Sequence, residues 1–199
     1  MESEKWCFTE QLSRLREQIN TSGYDVYCLH CITGREVAAA QELNREHPNI
    51  ITLPFLRLMH KSRNGVRELT QDTLLKGYVF VYTAKGTDIS GTEKCRYVYK
   101  ILGKREDERT LVGTDLKYAQ WVLSLGGVVG LSKALKINEK VKIIEGPLLD
   151  YEGSIKEYSK KNRNCRVEID VVGQQLSAWL PFDWVESERG MLDLMDLGE

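Results

Sequence analysis

Cys28-Leu29-His30-Cys31 has the spacing of a two-cysteine metal or redox site, with a histidine between the thiols. A structural zinc needs four converging ligands, and a redox pair needs both sulfurs on one side of the chain. The flanking residues read DVYCLHCI over 25–32, a strand pattern. Positions three apart on a strand face opposite ways, so Cys28 and Cys31 cannot meet without a turn between them. No second Cys-x-x-Cys completes a four-ligand set. The five cysteines, at 7, 28, 31, 95 and 165, are odd in number and irregular in spacing. That suits buried thiols in a reducing compartment better than a disulfide framework. The three histidines, 30, 47 and 60, fall on a strand, at a helix end and beside a hairpin. Gly126-Gly127-Val128-Val129-Gly130 follows a helix instead of opening one, so it reads as a turn and not a phosphate loop. These residues predict no catalytic set, no metal and no cofactor, and the chain is not expected to be an enzyme.

Chemistry of recognition is better represented. The net charge is -1 over 199 residues, so any nucleic-acid contact must come from local patches. Arg57, His60, Lys61, Arg63 and Arg67 crowd one hairpin whose turn is Asn64-Gly65. They suit a hairpin reaching toward phosphates, or a charged edge that resists aggregation. Lys156, Lys160, Lys161, Arg163 and Arg166 cluster with only Glu157 among them, and Tyr158 adds a stacking surface. A basic loop with an aromatic fits a phosphate backbone or an RNA hairpin, while a plain solubilising loop is the competing reading. Residues 137–186 as a whole hold seven Lys/Arg against nine Asp/Glu, so the module is not basic overall. Gly146-Pro147-Leu148-Leu149 is a Gly-Pro turn with a hydrophobic tip, re-entering a strand after Gly153.

The elements that carry these groups can be read from periodicity. Phe8, Leu12, Leu15 and Ile19 predict an amphipathic helix over 8–20, with Thr9 as cap, packing on the body of its own domain. The strand 25–32 leads through Thr33 to a helix beginning near Glu36, in a capping-box pattern. LLKGYVFVYT, 74–83, predicts a central strand covered on both faces. Residues 84–94 read as a loop and CRYVYKIL, 95–102, as a helix. Thr114-Asp115 is expected to cap a helix over 115–125, stopped by Gly126-Gly127. After Lys140, short alternating sets such as Val167, Ile169 and Val171 predict an autonomous small β-barrel. No apolar run approaches a membrane span, and the N-terminus lacks the apolar core of a secretory signal.

Val141, Gly146, Pro147, Leu148, Gly153, Ile155, Val167, Val171, Gly173 and Val185 resemble the KOW motif. VYCLHCITGRE, then LLKGYVFV after a hairpin, then the helix 115–125, resemble the N-terminal NGN domain of the NusG family. The order matches over residues 24–186, and GLSKALKINEKVKIIEGPLLDYEG is similar to specialised LoaP-type antiterminator paralogues. The family's Phe-Pro-Gly-Tyr step reads Leu75-Lys76-Gly77-Tyr78 here, and the extension ahead of residue 24 is longer than usual. The resemblance implies an α+β fold: an NGN domain with a mainly antiparallel sheet, then an SH3-like KOW barrel. The implied division is a helical extension 1–23, NGN 24–131, linker 132–139, KOW 140–186 and acidic tail 187–199. It also implies a transcription elongation factor, a processive antiterminator, with RNA polymerase clamp helices docked on Tyr27, Ile32, Leu74, Leu75 and Tyr78. Lys61, Arg63 and Arg67 would touch non-template DNA. Lys156, Tyr158, Lys160, Lys161, Arg163 and Arg166 would contact nascent RNA. Gly146, Pro147, Leu148 and Leu149 would form an exposed partner loop, with Rho or a ribosomal protein left open. The implied setting is the bacterial cytoplasm, at the nucleoid through polymerase, with no membrane. A KOW-type RNA- or ribosome-associated protein acting away from polymerase is the alternative.

Overall fold

A computed structural model describes residues 5–63, 66–103, 105, 108–137, 140–149, 155–159, 163–171 and 174–185. The Thr9 side chain accepts from the Leu12 amide at 3.4 Å and starts helix α1, Glu10–Ser22, as its sequence predicts. Strand β1, Tyr24–Cys31, then leads to helix α2, Glu36–Glu46. Four strands follow: β2 (Ile50–Pro54), β3 (Leu56–Arg63), β4 (Val66–Thr73) and β5 (Tyr78–Ala84). A 3-10 turn, Ser90–Lys94, precedes β6, Val98–Ile101, and helix α3 spans Gly113–Ser124. The rest is β structure: β7 (Val128–Val129), β8 (Ser132–Ile137), β9 (Lys140–Glu145), β10 (Ile155–Ser159), β11 (Asn164–Val171) and β12 (Gln174–Trp184).

The strands form three sheets in an α+β arrangement, mostly antiparallel. The first has the order β2-β5-β1-β6 and is apolar on both faces. Val26, Cys28, Ile51, Leu53, Phe80 and Tyr82 face one core, where Leu12 and Ile19 of α1 and Ala119 and Val122 of α3 cover them. Leu29, Cys31, Ile50, Val79 and Val81 face the other, where Ala39 and Leu43 of α2 pack. Two-sided covering explains why β5 lacks the polar alternation of a half-exposed strand. The second sheet has the order β4-β3-β7, and β3 and β4 stay in register to Arg63↔Val66. The third has the order β10-β11-β12-β8-β9, with β8 parallel to β12.

Several local expectations are corrected. Residues 95–102 hold β6 and no α-helix. Val98 and Ile101 are buried while Tyr99 and Lys100 are exposed, and pairing with β1 decides the conformation of a segment rich in aromatic and branched residues. Thr33 does not cap α2. Gly34 turns at φ +82, Arg35 becomes the cap residue, and Glu36 is the first helical residue instead of the third. Thr114 and Asp115 likewise lie inside α3, whose cap position is Val112. Segment 132–139 is not a bare connector, because β8 occupies most of it and pairs with both β9 and β12.

The N-terminal extension is strapped to the body. The Trp6 indole donates to the Gly126 carbonyl at 2.8 Å. Its backbone amide and carbonyl meet the side-chain amide of Gln71 at 2.8 and 2.9 Å. Gly127, at φ +88, lies so close that a Cβ there would come within 2.9 Å of the Pro54 carbonyl and 3.2 Å of the indole nitrogen. The Gly126-Gly127 turn is thus a packing site for the extension.

Candidate functional site

The register of β1 against β5 places His30 opposite Tyr78. A bulge in the β1/β6 pairing then brings Tyr99 to the same strand end. The His30 ring stacks on Tyr78 at 5.3 Å and meets Tyr99 at 5.1 Å, tilted by 51°. Tyr99 is 61% exposed and Tyr78 is half-buried, so the group presents aromatic surface to solvent. A partly exposed aromatic cluster at a strand end has the composition of a binding hot spot.

The turn before Tyr78 is fixed by Glu36. Its carboxylate, 2% exposed, accepts from the Gly77 amide at 2.7 Å and the Gly34 amide at 3.0 Å. Gly77 sits at φ +81, where its missing Cβ would lie 3.2 Å from the Thr33 hydroxyl. One buried acid therefore ties the entry of α2 to the turn that launches β5.

Of the anchors expected from sequence, Tyr78 lies in this group, and Ile32 follows the end of β1, half-buried, its amide bonded to the Tyr97 carbonyl at 2.8 Å. Leu74 and Leu75, at 7% and 4% exposure, belong to the core and offer no docking surface in this conformation. The backbone turns them inward, with the amides of both donating to the Phe55 carbonyl. Tyr27 pairs with Val81 and packs against the α2-side core, on the face opposite Tyr78. Strand parity separates the two tyrosines. His30 and Tyr99 were missed. Reading CRYVYKIL as a strand would have brought Tyr99 to the sheet, whereas the His30–Tyr78 pairing depends on a register that local sequence does not carry.

The basic groups are more neutralised than their sequence suggests. Arg57 pairs with Asp72 at 2.9 Å, while Lys61 is exposed on β3. Arg63 ends β3, Arg67 is the second residue of β4, and the Asn64-Gly65 turn lies outside the described residues. Arg166 meets Glu157 and Glu168, each at 3.2 Å, and Lys156 lies 3.8 Å from Glu168. Arg163 lies 3.4 Å from Asp183. Tyr158 is half-buried and packs on the core instead of standing out for stacking. Lys160 and Lys161 lie outside the described residues.

The Gly-Pro turn also differs from its expectation. Leu148 is fully buried, and its amide donates to the Ser132 hydroxyl at 3.0 Å. Gly146, at φ +99, passes so close that a Cβ would come 2.7 Å from Ser132 Cα. Leu148 pins the turn onto β8. Leu149, 48% exposed, and Ile144, 38% exposed, form the accessible apolar surface. Pro147 is half-buried, and Gly153 lies outside the described residues.

Cys28 and Cys31 lie in different cores, on opposite faces of β1 as strand geometry requires. Burial pushes both thiols up, Cys31 to about 12, with Glu36 and Cys95 adding to the effect. They are packing residues.

Residues 25–116 match the family described as "NusG: Transcription termination factor nusG". The chain is also similar to the transcription termination/antitermination protein NusG of Thermus thermophilus, 18% identical over 180 residues, covering 80% of this chain and 96% of that protein. A solved structure described as "Domain interaction in Thermotoga maritima NusG" is similar over 79% of this chain and 93% of its own, with TM-score 0.46 and 18% identity.

Proposed function

We propose, from the match of residues 25–116 to the NusG family, that the chain is a transcription elongation factor of the antiterminating kind. Its N-terminal unit docks the clamp helices of RNA polymerase, and its C-terminal sheet engages nascent RNA or a partner protein. The observation that carries the docking role is the His30–Tyr78–Tyr99 group, in which Tyr99 stands exposed beside two half-buried rings. A helix pair can rest apolar side chains on such a surface, and a few aromatic anchors supply most of the affinity. The bound clamp is held closed without bond chemistry.

Residues 24–131 are proposed as the polymerase-binding unit and the sheet from Ser132 onward as the KOW unit. Lys61, Arg63 and Arg67 are proposed for non-template DNA. Lys156, Arg163 and Arg166 can reach RNA phosphates by exchanging carboxylate partners, since ion pairs this exposed hold by only about 0–1 kcal/mol. Such binding must weaken steeply as salt rises. Exposed Ile144 and Leu149 favour a protein partner on the same unit, and with it the second reading of a KOW-type protein acting away from polymerase.

The test is co-purification of RNA polymerase with the full chain. Tyr78→Glu with Tyr99→Glu should lower retention by about thirtyfold or more, as expected when hot-spot anchors worth about 2 kcal/mol are lost. Undiminished retention by a folded double variant would remove the proposed interface. Leu75→Glu is no substitute, because it puts a charge into the core.

A further inference from the structure

The second and third sheets meet through side chains that the docking proposal does not use. Arg57 lies on β3, opposite Asp72 of β4 and Val129 of β7. One arm of its guanidinium donates to Asp72 Oδ2 at 2.9 Å. The other donates to the main-chain carbonyl of Trp179 on β12 at 2.6 Å. The side chain is only 17% exposed, so both bonds are shielded from water. Farther along the same two strands, His60 Nε2 lies 3.7 Å from Asp183 Oδ1, the oxygen that Arg163 Nη1 approaches at 3.4 Å.

Two other features act at the same junction. Only Gly130 and Leu131 separate β7, at the edge of the second sheet, from β8 in the third. A continuous core runs across, including Phe55, Leu56 and Val129 on one side and Ala134, Val167, Leu180 and Phe182 on the other. A two-residue joint gives little freedom, and a shared apolar core gives a reason to stay closed. A guanidinium suits this clasp because its planar fork satisfies two acceptors in fixed directions, which an ammonium cannot do equally well.

We infer that Arg57 clasps the β12 side of the C-terminal sheet to the β3–β4 hairpin, so that the two units move as one body. The inference does not depend on the identity of any partner. Its consequence is that whatever the C-terminal sheet binds is held at a set position relative to the His30–Tyr78–Tyr99 surface, instead of on a free tether. Arg57 is a positioning residue, acting through Trp179 and Asp72.

The test is ¹⁵N relaxation of the full chain, comparing β1 and β5 with β11 and β12. One body requires a common rotational correlation time in the wild type. Arg57→Ala should split it into two shorter times and speed amide exchange in β12 about tenfold to a hundredfold, the loss expected for a charge-assisted hydrogen bond. Two separate times in the wild type would overturn the inference. So would a common time in a folded Arg57→Ala chain, since another contact would then be the clasp. If Arg57→Ala does not fold, Arg57→Lys decides. It keeps a cation beside Asp72 but not the fork, and it should show the split, whereas a common time would overturn the assignment.

Discussion

Cys31 and Cys165 illustrate how packing silences chemistry at single residues. Burial raises both thiols from 9.0 to about 12, because the thiolate would lose its hydration inside the core. Below pH 9 the folded and unfolded chains both keep these protons, and stability is unaffected. Between about pH 9 and 12 the unfolded chain releases them while the folded chain holds on, so stability must decline there as pH rises. Urea unfolding at pH 7.5 and at pH 10 should show a lower midpoint at the higher pH. At neutral pH a thiol reagent should modify exposed Cys7 promptly and buried Cys28, Cys31 and Cys165 only on unfolding. Fast modification of any buried thiol in the folded chain would refute this assignment. The opposite facing of Cys28 and Cys31 was legible, because strand parity is a local rule. The burial of Leu74, Leu75 and Leu148 was not. A leucine in a turn looks the same in sequence whether the chain folds it under or out, and distant partners such as Phe55 and Ser132 decide which.

Among the elements, the best-read were those whose neighbours agree with their own periodicity. α1 begins at its expected cap, and β5 is covered on both faces as its apolar run implies. The failures occur where tertiary pairing overrides a local pattern. β6 is a strand because β1 pairs with it, and α2 starts late because Glu36 is drawn to the Gly34 and Gly77 amides. That junction yields a prediction about elements more than about one side chain. Gly77→Ala must adopt φ +81 and place a methyl 3.2 Å from the Thr33 hydroxyl. Its cost is about 1–2 kcal/mol from left-handed backbone strain alone. Thermal or urea unfolding measures it directly, and a neutral Gly77→Ala would mean that the turn relaxes freely. The aromatic group should loosen with the turn, visible as faster ring flipping at Tyr78.

For the whole molecule, the resemblance implies two units in order along the chain, and nothing in it fixes how their sheets meet. The segment expected as a linker instead contains β8, because its Ala134 is needed in the third sheet's core and its Ser132 anchors the Gly-Pro turn. The contacts of Arg57 with Trp179 and of His60 with Asp183 span 122 and 123 positions, and no local pattern announces such pairs. The expected basic RNA loop was legible as composition. Its carboxylate partners were not, since Asp183 approaches Arg163 only after the sheet has formed.

The Trp6 strap has a consequence for how the chain folds. Its indole bond to Gly126 spans 120 positions, so Trp6 must wait for a turn made much later. Contacts of such high sequence separation form only after the intervening loop has closed, and the docking of Trp6 belongs to the far side of the folding barrier. Trp6→Ala should therefore destabilise the chain by about 3–5 kcal/mol. Nearly all of that should appear as faster unfolding, with the refolding rate almost unchanged. Stopped-flow chevrons for the wild type and the variant would separate the two arms. A slowed refolding arm would instead place the strap in the folding nucleus, making it the seed of the fold and not its final fastening.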